Sequence, residues 1–321
     1  MLKPEILNDF SGGVNLTGQP LAMGESDLLT CLNMYPVAQG YLVGRGGQTE
    51  YNASAIDANP IKSLYRFYKQ DNTGILLATS GTQVYRGNDV TGTFASIDAG
   101  YTAGQRFSFS TWTAKDKVYW TNYAQALKSY DGTTVATVGG SPPVISHVEF
   151  YLDRLYGLLQ NGVRFTDLNV DNVWQGAALL NIADNQGGTG AFLKAANGVL
   201  IAGKTSGLWR LAGSPLLGNV FIEYSKVGCI APWTAQAITV LSNGQVVPAG
   251  VAFLGKDGVY ITDGYTVRLI STKIDPLFTG YFRDAVAGFY SNQRQYFLSF
   301  NPSGSANDTL WVGTNIDMEA T

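Results

Sequence analysis

The single histidine of this 321-residue chain, His147, stands two positions before Glu149 and six before Asp153. On an extended strand, alternation puts His147 and Glu149 on one face, the arrangement of a general base and the carboxylate that orients it. The alternative is a surface or blade-edge pair satisfied by solvent. The sequence favours that alternative, because no nucleophile motif such as G-x-S-x-G accompanies the pair. Glycoside hydrolysis would need two carboxylates roughly 5 to 9.5 Å apart, and Asp153, Asp167, Asp171 and Asp184 qualify only by abundance.

Other chemistries are poorly served. Ser129-Tyr130-Asp131-Gly132 and Thr262-Asp263-Gly264 lack the extra residue before glycine that a sialidase aspartate box carries, so Asp-Gly reads as a hairpin turn. One histidine and two distant cysteines, Cys31 and Cys229, cannot make a tetrahedral N/S metal site, and two isolated buried thiols are expected. Gly12-Gly13 and Gly44 to Gly47 do not sit between a strand and a long helix, where phosphate-cradling loops occur. No cofactor, metal or catalytic activity is expected. Of six tryptophans, Trp209 and Trp311 fall in the repeat register described next and should be core. Trp174 and Trp233 lie in connections, where they could stack on sugars or bases.

The elements that position these residues recur. Leu76 and Val84, Tyr119 and Leu127, Leu155 and Val163, Leu200 and Leu208, and Val251 and Val259 are each eight positions apart. Gly162, Gly207 and Gly258 stand directly before the second member, where a hairpin would use a positive φ. Second-member starts at 84, 127, 163, 208, 259 and 310 are separated by 43, 36, 45, 51 and 51 residues, which bracket the ~40 to ~50 of a four-stranded blade. The expected fold is all-β, a β-propeller of about six blades over residues 61–321. A hairpin-rich sandwich is the alternative. First-strand material is expected at Ile61 to Phe67 and Arg106 to Trp112. Phe289 to Val312 supplies only part of a sixth blade, whose open edge the arm, a partner or neighbouring segments would have to cover. Residues 1–60 read as an extended N-terminal arm. In it, Ser26 or Asp27 could cap a short helix at Leu28 to Leu32, and Tyr41-Leu42-Val43 could add a strand to a blade.

Twenty-one basic and 24 acidic residues give a net charge of −3, which provides no drive for tight phosphate neutralisation. Thirty-eight glycines, 18 tyrosines and only 14% charged residues describe short strands and tight turns with little helix. No basic n-region precedes an apolar core at the N-terminus, and no apolar run reaches membrane-spanning length. A cytoplasm-like compartment is expected until the protein assembles or is released.

Asp9-Phe10-Ser11-Gly12-Gly13-Val14-Asn15, Leu32-Asn33-Met34 and Gly40-Tyr41-Leu42-Val43-Gly44-Arg45-Gly46-Gly47 together resemble the opening of tailed-bacteriophage tail and head-closure proteins. Lys226 to Trp233, Gly258 to Gly264, Leu269 to Ile274 and Gln295 to Ser299 resemble later blades of that group. The group includes packaged-DNA stabilisation proteins and the propeller-bearing tail nozzle. The resemblance implies a structural virion protein assembled in the host cytoplasm as a hexameric ring. It further implies portal, adaptor or tail neighbours, genomic DNA passing without sequence-specific binding, and no membrane insertion. Interface candidates are Phe10, Gly12, Gly13, Asn33, Arg45, Trp174 and Trp233. A receptor- or glycan-binding propeller at the tail tip is the alternative, and a propeller glycosidase a more distant one.

Overall fold

The computed structural model describes residues 9–19, 23–36, 40–47, 49–174, 179–182, 188–212, 220–242, 245–280, 282–301 and 309–313. Six antiparallel sheets follow one another, and in each the strands lie in chain order. The first comprises Ile61–Tyr68, Gly74–Ser80, Gln83–Gly87 and Phe94–Ala99. The second comprises Ser108–Trp112, Lys117–Thr121, Lys128–Tyr130 and Val135–Thr137, and the third His147–Tyr151, Arg154–Leu158, Gly162–Phe165 and Leu180–Asn181. The fourth is Gly190–Ala196, Val199–Lys204, Leu208–Ala212 and Val220–Ser225; the fifth is Gln236–Ser242, Gln245–Gly255, Gly258–Thr262 and Val267–Leu269. Val286–Tyr290, Gln295–Phe300 and Thr309–Gly313 form the sixth, which has three strands among the described residues. The eight-residue offset is thus the hairpin joining the second and third strands of each of the first five blades. The fold is an all-β propeller.

The chain divides into two compact units, residues 48–195 with 212–221, and residues 1–47 with 196–211 and 222–321. In the former, Phe67, Leu77, Val84, Phe109, Val118 and Trp120 fill the layer between the first two blades. Trp112, Tyr119, Ile145, Val148 and Leu155 fill the next. In the latter, Ile238, Leu254, Ile261, Tyr296, Leu298 and Phe300 form the layer between the fifth and sixth blades. Middle strands such as Arg154–Leu158 and Gly258–Thr262 are buried at every position.

A second set of bonds joins the first strands of consecutive blades. Phe107 N donates to Ser63 Oγ at 2.8 Å, Val148 N to Ser108 Oγ at 3.2 Å and Phe150 N to Ser110 Oγ at 2.8 Å. Ala195 N donates to Glu149 Oε1 at 3.2 Å, and in the other unit Gln236 Nε2 donates to Ala287 O at 2.8 Å. Each first strand is a sheet edge, and these side chains satisfy main-chain groups that would otherwise be left unpaired.

Several local expectations are corrected. Of the three hairpin glycines only Gly258 has a positive φ, +136°. Gly162 and Gly207 are required by close approach instead. A Cβ on Gly162 would stand 2.5 Å from Leu179 Cδ1, and one on Gly207 would stand 2.7 Å from Ser225 O. No helix forms at Leu28 to Leu32, because Asp27–Leu28 is a strand paired in parallel with Gly13–Val14. Leu42–Gly44 pairs with Met34–Pro36 rather than with a blade.

Ser110→Ala leaves the part-buried Phe150 N–H without its acceptor and is expected to cost about 1 kcal/mol. Urea denaturation of the variant against the parent measures this, and an unchanged midpoint would count against the inter-blade bonds as stabilising elements.

Candidate functional site

The arm residues singled out in the sequence converge on one clamp. Lys273 Nζ lies 2.8 Å from Asp27 Oδ1 and 2.8 Å from Gly12 O, while Asn15 Nδ2 donates to Asp27 Oδ2 at 2.8 Å. The Lys273 carbonyl accepts Leu16 N at 2.7 Å, and Val14 and Leu16 pack against the core of the fifth and sixth blades. The Lys273 ammonium and then Asn15 hold the Asp27 carboxyl below its usual range. Gly12 is where the clamp closes, since a Cβ there would stand 2.3 Å from Asp27 Oδ1. Gly13 takes φ +67° to begin the parallel strand pair. Phe10 N donates to Gly40 O at 2.6 Å, and the Asn33 carbonyl accepts Arg45 N at 2.7 Å, which closes the second arm segment into a loop. The main chain of Phe10, Gly12 and Gly13 is thus engaged within the molecule, and Arg45 is exposed.

What the docked arm displays is apolar. Leu29, Leu32, Met34 and Tyr41 are 51%, 84%, 44% and 53% exposed, and residues 28–44 contain no Asp, Glu, Lys or Arg. The missing charge was readable in the sequence. The clamp was not, because Asp27 and Lys273 lie 246 positions apart.

On the first strands, His147 and Glu149 share a face as alternation requires, but the expectation of a solvent-satisfied surface pair is corrected. His147 is 6% exposed, and burial, with the Lys194 ammonium, pushes its pKa down to about 3. A neutral imidazole that weak in basicity is a poor general base near pH 7. Glu149 keeps some solvent access yet is enclosed by the surrounding strands, and this burial raises its pKa against the opposing pull of Lys194 and the Ala195 N–H. Nearby, Tyr65 OH pairs with Thr111 Oγ1 at 2.8 Å, and burial pushes its phenol up to about 12.

The remaining candidates are dispersed. Trp174, expected at a contact surface, is 8% exposed and belongs to the core with Trp112 and Tyr119. Trp233 is half-buried in the short 3-10 turn Pro232–Thr234. Trp209 is core, and Trp311 packs against the separate core of the fifth and sixth blades. Asp171 is engaged by Lys117 Nζ at 3.0 Å and Tyr119 OH at 2.7 Å. Asp153 forms the tip of a tight turn with φ +57°, Asp167 stands 4.0 Å from Arg154, and Asp184 lies outside the described residues. The Asp-Gly pairs are turns: Asp131 Oδ1 accepts Thr133 N and Thr134 N, and Asp263 Oδ1 accepts Tyr265 N and Thr266 N. Asn88 does the same for Val90 and Thr91 at the equivalent corner of the first blade. Both cysteines are free; Cys229 is buried as expected, but Cys31 is only half-buried. Among the described residues no group of three or more His, Cys, Asp or Glu side chains could hold a metal ion.

No family model and no curated protein matches the sequence. Solved structures do. The extracellular domain of a one-component system from B. thetaiotaomicron aligns with a TM-score of 0.52 at 12% identity, covering 83% of this chain and 34% of that one. The likeness is one of fold. The computationally designed Ika8 protein aligns with a TM-score of 0.47 at 12% identity over 80% of this chain and 72% of its own. The N-terminal domain of Nup159 aligns with a TM-score of 0.45 at 9% identity over 77% and 74%. Identities this low carry no information about ligands or partners.

Because the folded pKa of Glu149 is raised, the native state binds its proton more tightly than the unfolded chain does. The resulting stability is fully present below the unfolded value, about 4.3, and is lost as pH rises towards and through the raised folded value. Glu149→Gln keeps an acceptor for Ala195 N and should flatten that decline. Unfolding midpoints of parent and variant across the pH range check this, and parallel profiles would refute it.

Proposed function

We propose that this chain is a structural subunit of a bacteriophage tail or head-to-tail connection. In this reading it resides in the virion tail, as one of six copies in a ring around the DNA channel, with a nozzle, adaptor or DNA-retention role and no catalysis. The observation that carries the reading is the docked arm, with an uncharged ridge of Leu29, Leu32, Met34 and Tyr41 facing solvent. Apolar side chains held out by a rigid clamp are suited to contact with another protein surface. The phrases that resemble phage tail and head-closure proteins are the ones that build this arm: Gly12-Gly13 closes the clamp and Leu32-Asn33-Met34 forms the ridge. The net charge of −3 fits a conduit that does not grip phosphates. The low basicity of His147 fits a scaffold better than a hydrolase.

Mass photometry of the purified chain and electron microscopy of particles test the proposal. A ring-sized species that occupies the tail of the particle is expected, whereas a monomer missing from particles would overturn it. Leu32→Asp should shift the ring towards smaller species while leaving the far-UV dichroism unchanged, because its side chain is 84% exposed.

A further inference from the structure

A cleft of about 440 Å³ opens on the first blade, lined by Gly74, Ile75, Arg86, Gly87, Asn88 and Asp89 among others. This is within the ~300 to ~1,000 Å³ of small-molecule sites. Arg86 Nη1 donates to Gly132 O at 2.8 Å and reaches Tyr130 OH at 3.4 Å, which pins the guanidinium over the turn of the second blade. These bonds leave its Nε and Nη2 donors unspent. Lys69 approaches the rim of the cleft at the same turn, with Nζ 3.4 Å from where a Cβ on Gly132 would stand, and its charge also acts on Asp131 of that turn and on Asp71. Gly132, at φ +97°, has no side chain to fill the space beside Lys69.

The other wall is already neutralised. Asp89 accepts Arg66 Nη1 at 2.6 Å and Tyr51 OH at 2.7 Å, so it does not compensate Arg86. Asn88 spends its Oδ1 on the main chain of Val90 and Thr91, which leaves the amide nitrogen for a ligand. Gly74 and Ala95 contribute an apolar lining, and Ile75 and Gly87, which also line the cleft, are buried.

We propose that this cleft binds a saccharide bearing a carboxylate, a uronic acid unit. The carboxylate takes the unspent Arg86 donors and Lys69, an apolar face of the pyranose lies on the glycine and alanine lining, and a ring hydroxyl accepts from Asn88 Nδ2. Planar bidentate recognition of carboxylate is what a guanidinium does better than an ammonium. The site stands apart from the arm and does not depend on the ring proposed above.

Isothermal titration of the full chain with trigalacturonate, a neutral glucose trisaccharide and inorganic phosphate tests the assignment. Saturable trigalacturonate binding is expected, with the neutral trisaccharide at least about tenfold weaker through loss of the charge-assisted contact, and phosphate at least about tenfold weaker because it lacks the ring that would lie on the lining and the hydroxyl that would meet Asn88. Arg86→Lys and Lys69→Gln should each weaken trigalacturonate binding by about tenfold or more. Lys69→Gln breaks no hydrogen bond described above, so it reports on the site even if Arg86→Lys loosens the contact with Gly132. The proposal is overturned by an absence of saturable binding, by phosphate or the neutral sugar binding as tightly as trigalacturonate, or by full affinity in Lys69→Gln.

Discussion

Every sheet has two edges, and a blade that shows only its middle strands to its neighbours still has to find partners for the main chain of its first strand. In this chain those partners are side chains of the adjacent blade. Ser63, Ser108, Ser110 and Glu149 accept main-chain N–H groups from the next blade, and Gln236 donates to a main-chain carbonyl. Apolar layers supply most of the association between blades, as hydrophobic burial generally does. They are non-directional, however, and would tolerate sliding. The polar contacts fix the register, because a buried N–H displaced from its acceptor costs more than a bond contributes when made.

The arm obeys the same logic in a different place. Two short strand pairs cannot hold themselves together in water. Asp27 and Lys273 anchor them to the fifth and sixth blades, and Val14 and Leu16 add apolar contact. Once that anchor is made, the rest of the arm is free to expose surface that a self-sufficient domain would bury. The ammonium beside the Asp27 carboxyl holds it below its usual range.

The blades were legible because turn chemistry and apolar pairs repeat locally: the offset from Leu155 to Val163 is set within one hairpin. The first strand at Ile61 and the Asp-Gly corners at Asp131 and Asp263 were readable for the same reason. What depends on distant sequence was not. Asp27 read as a helix cap because its neighbours allow one, and only Lys273 and Asn15 reveal why the carboxylate is there. Trp174 lies in a connection and read as surface, yet a bridge to Thr166 folds it back into the core. Gly162 and Gly207 were identified correctly as necessary but for the wrong reason, since contact with a neighbouring strand constrains them rather than torsion.

The polar contacts between first strands also differ from one junction to the next: one serine, then two, then a carboxylate, and in the other unit an amide. A polypeptide made of look-alike modules risks docking the wrong pair during folding, since apolar faces of similar size discriminate poorly. Dissimilar fasteners give each module a preferred successor. Exchanging two modules would strand a carboxylate or an amide opposite a mismatched group, so the order of assembly is written into the chemistry of the joints.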